Sequence, residues 1–134
     1  MTTFKPTRVL GAALIGLAMS GAANLAHADV KDYEFQLVEP TVRTGPNTVI
    51  TVRLMNKTTG QPVPDAVIFA TRLDMAPDGM QEMAIPVTPV PGGEPGTYRF
   101  SANVSMAGGW RLSLGAKVQG ETGTVESKLV IRAQ

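Results

Sequence analysis

Five methionines set the chemical question. Met75, Met80 and Met83 fall within nine residues, in Asp74-Met75-Ala76-Pro77-Asp78-Gly79-Met80-Gln81-Glu82-Met83, and Met106 stands in Ser105-Met106-Ala107-Gly108-Gly109-Trp110. Thioether sulfur is soft and uncharged, so it selects Cu(I) or Ag(I) over hard cations. It needs no deprotonation to bind, unlike a cysteine or histidine ligand. Three thioethers suit the low coordination number of Cu(I). Pro77, Asp78 and Gly79 break regular structure, so the segment reads as a loop, and a buried core explains large apolar side chains in such a polar loop poorly. Met106, in a turn, can reach the same end of the molecule. The competing reading is that methionine is a flexible gap-filler, folded over the end of the domain or offered to a protein partner. Met55, which ends an alternating stretch, is assigned to the core.

Other chemistry is sparse. The chain has no cysteine and a single histidine, His27. Beyond residue 28 there is neither, which removes Ser–His and Cys–His pairs and the usual zinc ligands. Asp74, Asp78 and Glu82 could support carboxylate chemistry only if buried together, and an open loop would not shift their pKa values. The expectation is a protein that is not an enzyme. Trp110 could lay its indole face on a Met-bound Cu(I) in a cation–π contact. It is in phase with Leu112 and Leu114, however, and is expected to anchor the core. Gly96-Thr97-Tyr98 suggests a tyrosine corner, with the phenol bonded back to main chain.

The first residues point to the compartment. Lys5 and Arg8 precede an apolar run from Val9 to Met19, which leads to Ala26-His27-Ala28. This is the order of an export signal with a cleavage site, and the run is shorter than the roughly 20 residues of a membrane span. Residues 1–28 are therefore expected to be a signal peptide, with Asp29 the mature start, no stable membrane insertion after cleavage, and the periplasm as destination. No cysteine follows the apolar run, so a lipoprotein is not expected. Residues 29–134 hold ten Lys and Arg against eleven Asp and Glu, a formal charge of −1. That balance gives no reason to expect nucleic acid as a partner. About a hundred residues suffice for one core, here without disulfides.

The elements that must hold these residues have period two. Tyr33, Phe35 and Leu37 alternate with polar neighbours, as do Ile50, Val52 and Leu54. Ala66 to Leu73 is more continuously apolar, and Met83 to Val90, interrupted by Pro86 and Pro89, reads as one edge or bulged strand. Tyr98/Phe100/Ala102/Val104, Trp110/Leu112/Leu114/Ala116/Val118 and Val125/Ser127/Leu129/Ile131 complete the set. Gly/Pro-containing turns separate them, and no segment beyond residue 28 has helical periodicity. About seven short strands predict an immunoglobulin-like β-sandwich.

These segments, in this order, resemble the FixH/YtkA-like family of bacterial envelope domains. The resemblance covers most of residues 33 to 132. It rests on Pro46-Asn47-Thr48-Val49-Ile50-Thr51-Val52, Thr59-Gly60-Gln61-Pro62-Val63-Pro64-Asp65-Ala66, the Met75 to Met83 loop, Pro95-Gly96-Thr97-Tyr98-Arg99-Phe100 and Met106-Ala107-Gly108-Gly109-Trp110-Arg111-Leu112. It implies an immunoglobulin-type fold and an accessory role in copper handling, heavy-metal efflux or oxidase assembly, with an efflux or oxidase-assembly protein as partner. It maps soft-metal ligands onto Met75, Met80 and Met83, with Met106 a fourth. The absence of histidine from the loop favours Cu(I) or Ag(I) over Cu(II). The alternative expectation is an interaction module that carries no metal and docks on an envelope complex through its Met-rich loop.

Overall fold

A computed structural model describes residues 30–134; the expected signal peptide, residues 1–28, lies outside them. Alternation along the chain becomes two packed sheets. Strands β1 (Tyr33–Leu37), β3 (Gly45–Asn56), β7 (Thr88–Val90) and β8 (Thr97–Val104) form one sheet in the order β1-β3-β8-β7, and the two-residue β4 (Gln61–Pro62) also pairs with β3. The other sheet runs β2-β10-β9-β5-β6, built from β2 (Thr41–Val42), β10 (Val125–Ala133), β9 (Gly108–Lys117), β5 (Val67–Met75) and β6 (Met80–Ile85). All pairings are antiparallel except β2 on β10, which is parallel. The fold is all-β, an immunoglobulin-like sandwich.

Because side chains alternate across a strand, every second residue of the long strands points into the core. Ile50, Val52 and Leu54 of β3 and Phe100, Ala102 and Val104 of β8 line one inner face; Leu73, Trp110, Leu112, Leu114 and Ile131 line the other. Met55 falls out of this phase. It follows buried Leu54, pairs with Glu34 across β1 and is half-buried outside the core, which corrects its assignment there.

Two further expectations change. The single strand expected from Met83 to Val90 is two strands in different sheets, β6 and β7, separated at Pro86, which cannot donate a ladder hydrogen bond. The apolar run Ala66 to Leu73 is buried only at its end: Val67 and Phe69 are 60% and 57% exposed. Tyr98 does bond back to main chain, over a longer span than a tyrosine corner. Its hydroxyl donates to the Val63 carbonyl (2.6 Å) and accepts from the Ala66 N–H (3.1 Å), tying the segment before β5 to β8.

Candidate functional site

The segment carrying Met75, Met80 and Met83 is a hairpin, not an open loop. β5 continues through Met75, a 3-10 turn spans Ala76–Asp78, and β6 starts at Met80. Pro77 lies in the first turn of the 3-10 helix, where its missing N–H costs nothing, and Gly79 ends it in the left-handed region (φ 77°). The breakers that suggest a loop thus shape a tight reversal between strands.

This reversal sets Met75 directly opposite Met80 in the β5–β6 register, after which the pairing shifts, with Asp74 facing Ala84. Directly opposed residues on antiparallel strands have Cβ atoms about 4.5–5.5 Å apart, close enough for two thioethers to touch. Met75 is fully buried in the core, and Met80 is half-buried against it. Met83, further along β6, is 37% exposed and Met106 40% exposed. The Met106 segment comes beside the hairpin through its glycines: a Cβ on Gly108 would stand 3.0 Å from the Met75 Cε and would overlap Asp78 Oδ2. The fold therefore gathers Met75, Met80 and the Met106 turn at one end of the sandwich, with Met83 on the same hairpin.

Trp110 is 1% exposed and belongs to the core. Its indole N–H nevertheless donates to the Met106 carbonyl at 3.0 Å, so the ring also anchors the turn that carries Met106.

The carboxylates differ from expectation. Asp74 has no solvent exposure, although it lies in the segment read as open. Its Oδ1 accepts from the Ala76 N–H at 2.9 Å, starting the 3-10 turn, and its Oδ2 takes Arg72 Nε (2.8 Å) and Arg111 Nη2 (3.3 Å). Arg72 Nη2 in turn donates to the Gln81 carbonyl at 2.7 Å, across the hairpin. Asp78 Oδ2 accepts from the Gly109 N–H at 3.2 Å and so joins the turn to β9. Glu82 is exposed. The three carboxylates are not buried together, and among the described residues no group of three or more His, Cys, Asp or Glu side chains converges as a metal site.

Desolvation pushes the Asp74 carboxyl upward, but the Ala76 N–H and the two guanidinium groups more than offset it, so the carboxyl is held below its ordinary value. A carboxylate depressed in the folded state stabilises the fold above its unfolded pKa, and that contribution is lost as pH falls through the folded pKa. Asp74→Asn should accordingly flatten the acid limb of stability. Urea midpoints measured against pH would show it; parallel curves for variant and parent would contradict the role given to Asp74.

Arg72, two residues before Asp74 on the same strand face, was the one sequence signal for this cluster. Arg111 is 37 residues away and gave none.

An all-β sandwich with methionines clustered at one end, clamped by a buried carboxylate, is a class of domain rather than a chemistry. A family model described as YtkA-like matches residues 27–115, more than half of the chain, and the chain belongs to that family. No curated protein matches it. Among solved structures it is similar to the filamin domain of Lin-41, at 20% identity over 77% of this chain and 92% of that one, with a TM-score of 0.44. It is also similar to a DUF4785-family protein of Legionella pneumophila (15% identity, 75% of this chain, 27% of that one, TM-score 0.44) and to the C-terminal domain of ZirS (12% identity, 92% and 86%, TM-score 0.44).

Proposed function

We propose that this YtkA-like domain binds Cu(I) or Ag(I) as cargo, through thioethers at the hairpin end, and serves as a periplasmic accessory or chaperone in copper homeostasis or heavy-metal efflux. The observation that carries the reading is the placement of Met75 opposite Met80, with the Met106 turn packed on the same hairpin. Soft sulfur donors without a charged ligand favour a soft monovalent ion. Met83 and Met106, the exposed members, would meet the ion first, and Met80 and Met75 would complete its coordination from the core side. The N-terminal pattern from Lys5 to Ala28 supports export, and the periplasm is a compartment in which thioethers stay available where thiols would oxidise.

The test is an anaerobic competition titration of Cu(I) against a chromophoric chelator. The protein should withdraw copper stoichiometrically, and replacing Met75, Met80 and Met83 together by Leu should abolish this. Leu conserves volume at the buried position, so the circular dichroism spectrum should be unchanged. Undiminished affinity in the triple variant would sink the assignment. The exposure of Met83 and Met106 also favours a second reading, an adaptable contact surface for an envelope protein, which would tolerate Leu where a thioether site would not.

A further inference from the structure

β10 has one side covered along its whole length and the other almost bare. Each of its residues pairs with β9, whereas β2 takes the opposite side only at Arg132 and Ala133. β1, the nearest strand of the other sheet, pairs with β3 instead. Among the described residues, no strand pairs with the outer edge of residues 125–130. In the turn before β10, Glu121 Oε2 accepts from the Tyr33 hydroxyl at 3.0 Å, which holds that carboxylate within its own domain.

Side chains along the bare edge alternate between the faces. Val125, Ser127 and Leu129 point inward, with Ser127 and Leu129 only half-buried, and Glu126, Lys128 and Val130 point outward and are exposed. Glu126 and Lys128 face uncharged Gly115 and Ser113 on β9, and neither forms an ion pair among the described residues. Charged side chains on a strand edge commonly keep other strands away. Here the two charges differ in sign and stand two positions apart, an arrangement that complements itself.

Antiparallel pairing of two copies about a two-fold axis at Ser127 sets Glu126 of one copy opposite Lys128 of the other, twice by symmetry. On the inner side the same register sets half-buried Leu129 opposite Val125, and Ser127 opposite its equivalent. Directly opposed side chains lie about 4.5–5.5 Å apart and diagonal ones about 7–8 Å, so the unlike pairs outweigh the like-charged diagonals. A slip of two residues either way would oppose Glu126 to Glu126 or Lys128 to Lys128. A slip of one would turn the inner face of one copy outward.

We infer that the domain forms a two-fold homodimer in which residues 125–130 of two copies pair antiparallel about Ser127. The free edge supplies main-chain hydrogen bonds, and the Glu126–Lys128 pairs fix partner and register. The joined sheet runs β6-β5-β9-β10 in one copy and continues β10-β9-β5-β6 in the other, which leaves both methionine hairpins at its outer ends. The inference does not depend on metal binding.

Sedimentation velocity on the purified protein, from micromolar to millimolar concentration, should show a reversible monomer–dimer equilibrium that weakens as salt is raised. Glu126→Lys and Lys128→Glu each set like charges opposite one another and should each raise the dissociation constant by roughly tenfold or more. The double variant Glu126→Lys/Lys128→Glu restores unlike pairs in the same register and should recover the parent constant. An equimolar mixture of the two single variants should associate more tightly than either alone. Both positions are exposed, so the circular dichroism spectrum should not change. Ser127→Cys, in a chain that has no cysteine, should cross-link two copies by a disulfide under mild oxidation. A monomer throughout the concentration range would overturn the inference and leave the edge to a strand of another protein. So would a dimer indifferent to both single variants, or one that they weaken and the double variant fails to recover.

Discussion

Trp110→Ala should lower stability by about 3–5 kcal/mol, the range for truncating a large buried aromatic. Trp110 is 1% exposed and faces Ile131 across the β9–β10 ladder. The cost has two parts. One is the cavity left among Leu112, Ile131 and their neighbours, which a close-packed sandwich can close only partly. The other is the Met106 carbonyl, which loses the indole N–H. For a domain of about a hundred residues, such a change lowers Tm by well over 10 °C. Thermal unfolding followed by far-UV circular dichroism would measure it, since the variant loses the only tryptophan. A shift of only a few degrees would mean that the core end near Trp110 relaxes, and the indole would then have to be re-assigned to the methionine site. Trp110→Phe separates the parts: it keeps most of the packing and loses the hydrogen bond, at about 1–3 kcal/mol.

Gly108→Ala is the second large effect. At φ 139° an L side chain is strained, at about 1–3 kcal/mol. The added methyl would also run into Asp78 Oδ2 and press on the Met75 Cε, the kind of overpacking that costs about 1–3 kcal/mol more. Gly109 is nearly as constrained, because a Cβ there would stand 2.9 Å from Pro77 Cβ. The two glycines form the slot into which the 3-10 turn seats. Chemical denaturation should show Gly108→Ala destabilised by about 2–6 kcal/mol, and amide exchange should show the loss of protection concentrated at the hairpin and the 106–109 turn. An unperturbed hairpin would mean that the turn and β9 are not mechanically joined, and the grouping of Met75, Met80 and Met106 would lose its basis.

The sandwich was legible where one face of a strand is wet. Ile50/Val52/Leu54 and Trp110/Leu112/Leu114 alternate in sequence and point inward in the structure. Phase alone also told that Met55, one step beyond Leu54, must face out; the position at the end of an apolar run masked it. The Ala66–Leu73 run misled because continuous apolarity suggests two covered faces, whereas the bulge at Phe69 and the early end of β6 leave one edge and one face open. At the candidate site, residue types announced the methionines, but not their partners. A Pro-Asp-Gly sequence is compatible with a loose loop and with a tight reversal, and the difference lies in contacts with Gly108 and Gly109 some thirty residues on. The burial of Asp74 could not be foreseen, since one of its two cations comes from β9.

The pairing of β2 with β10 has a kinetic corollary. Thr41 and Val42 lie beside Arg132 and Ala133, so the second sheet closes only when residues about ninety positions apart meet. The strand that makes this closure, β10, follows every other strand in the described chain yet lies inside its sheet, between β2 and β9. Its inner residues Val125, Ile131 and Ala133 belong to the core. Loop closure of that span must precede most of the energetic return, which places the domain among slow folders, in the millisecond-to-second range. Until β10 docks, β9 keeps one edge bare and Trp110 lacks its cross-strand neighbour Ile131. The second sheet can therefore be completed only after the last strand of the described chain has docked between β2 and β9.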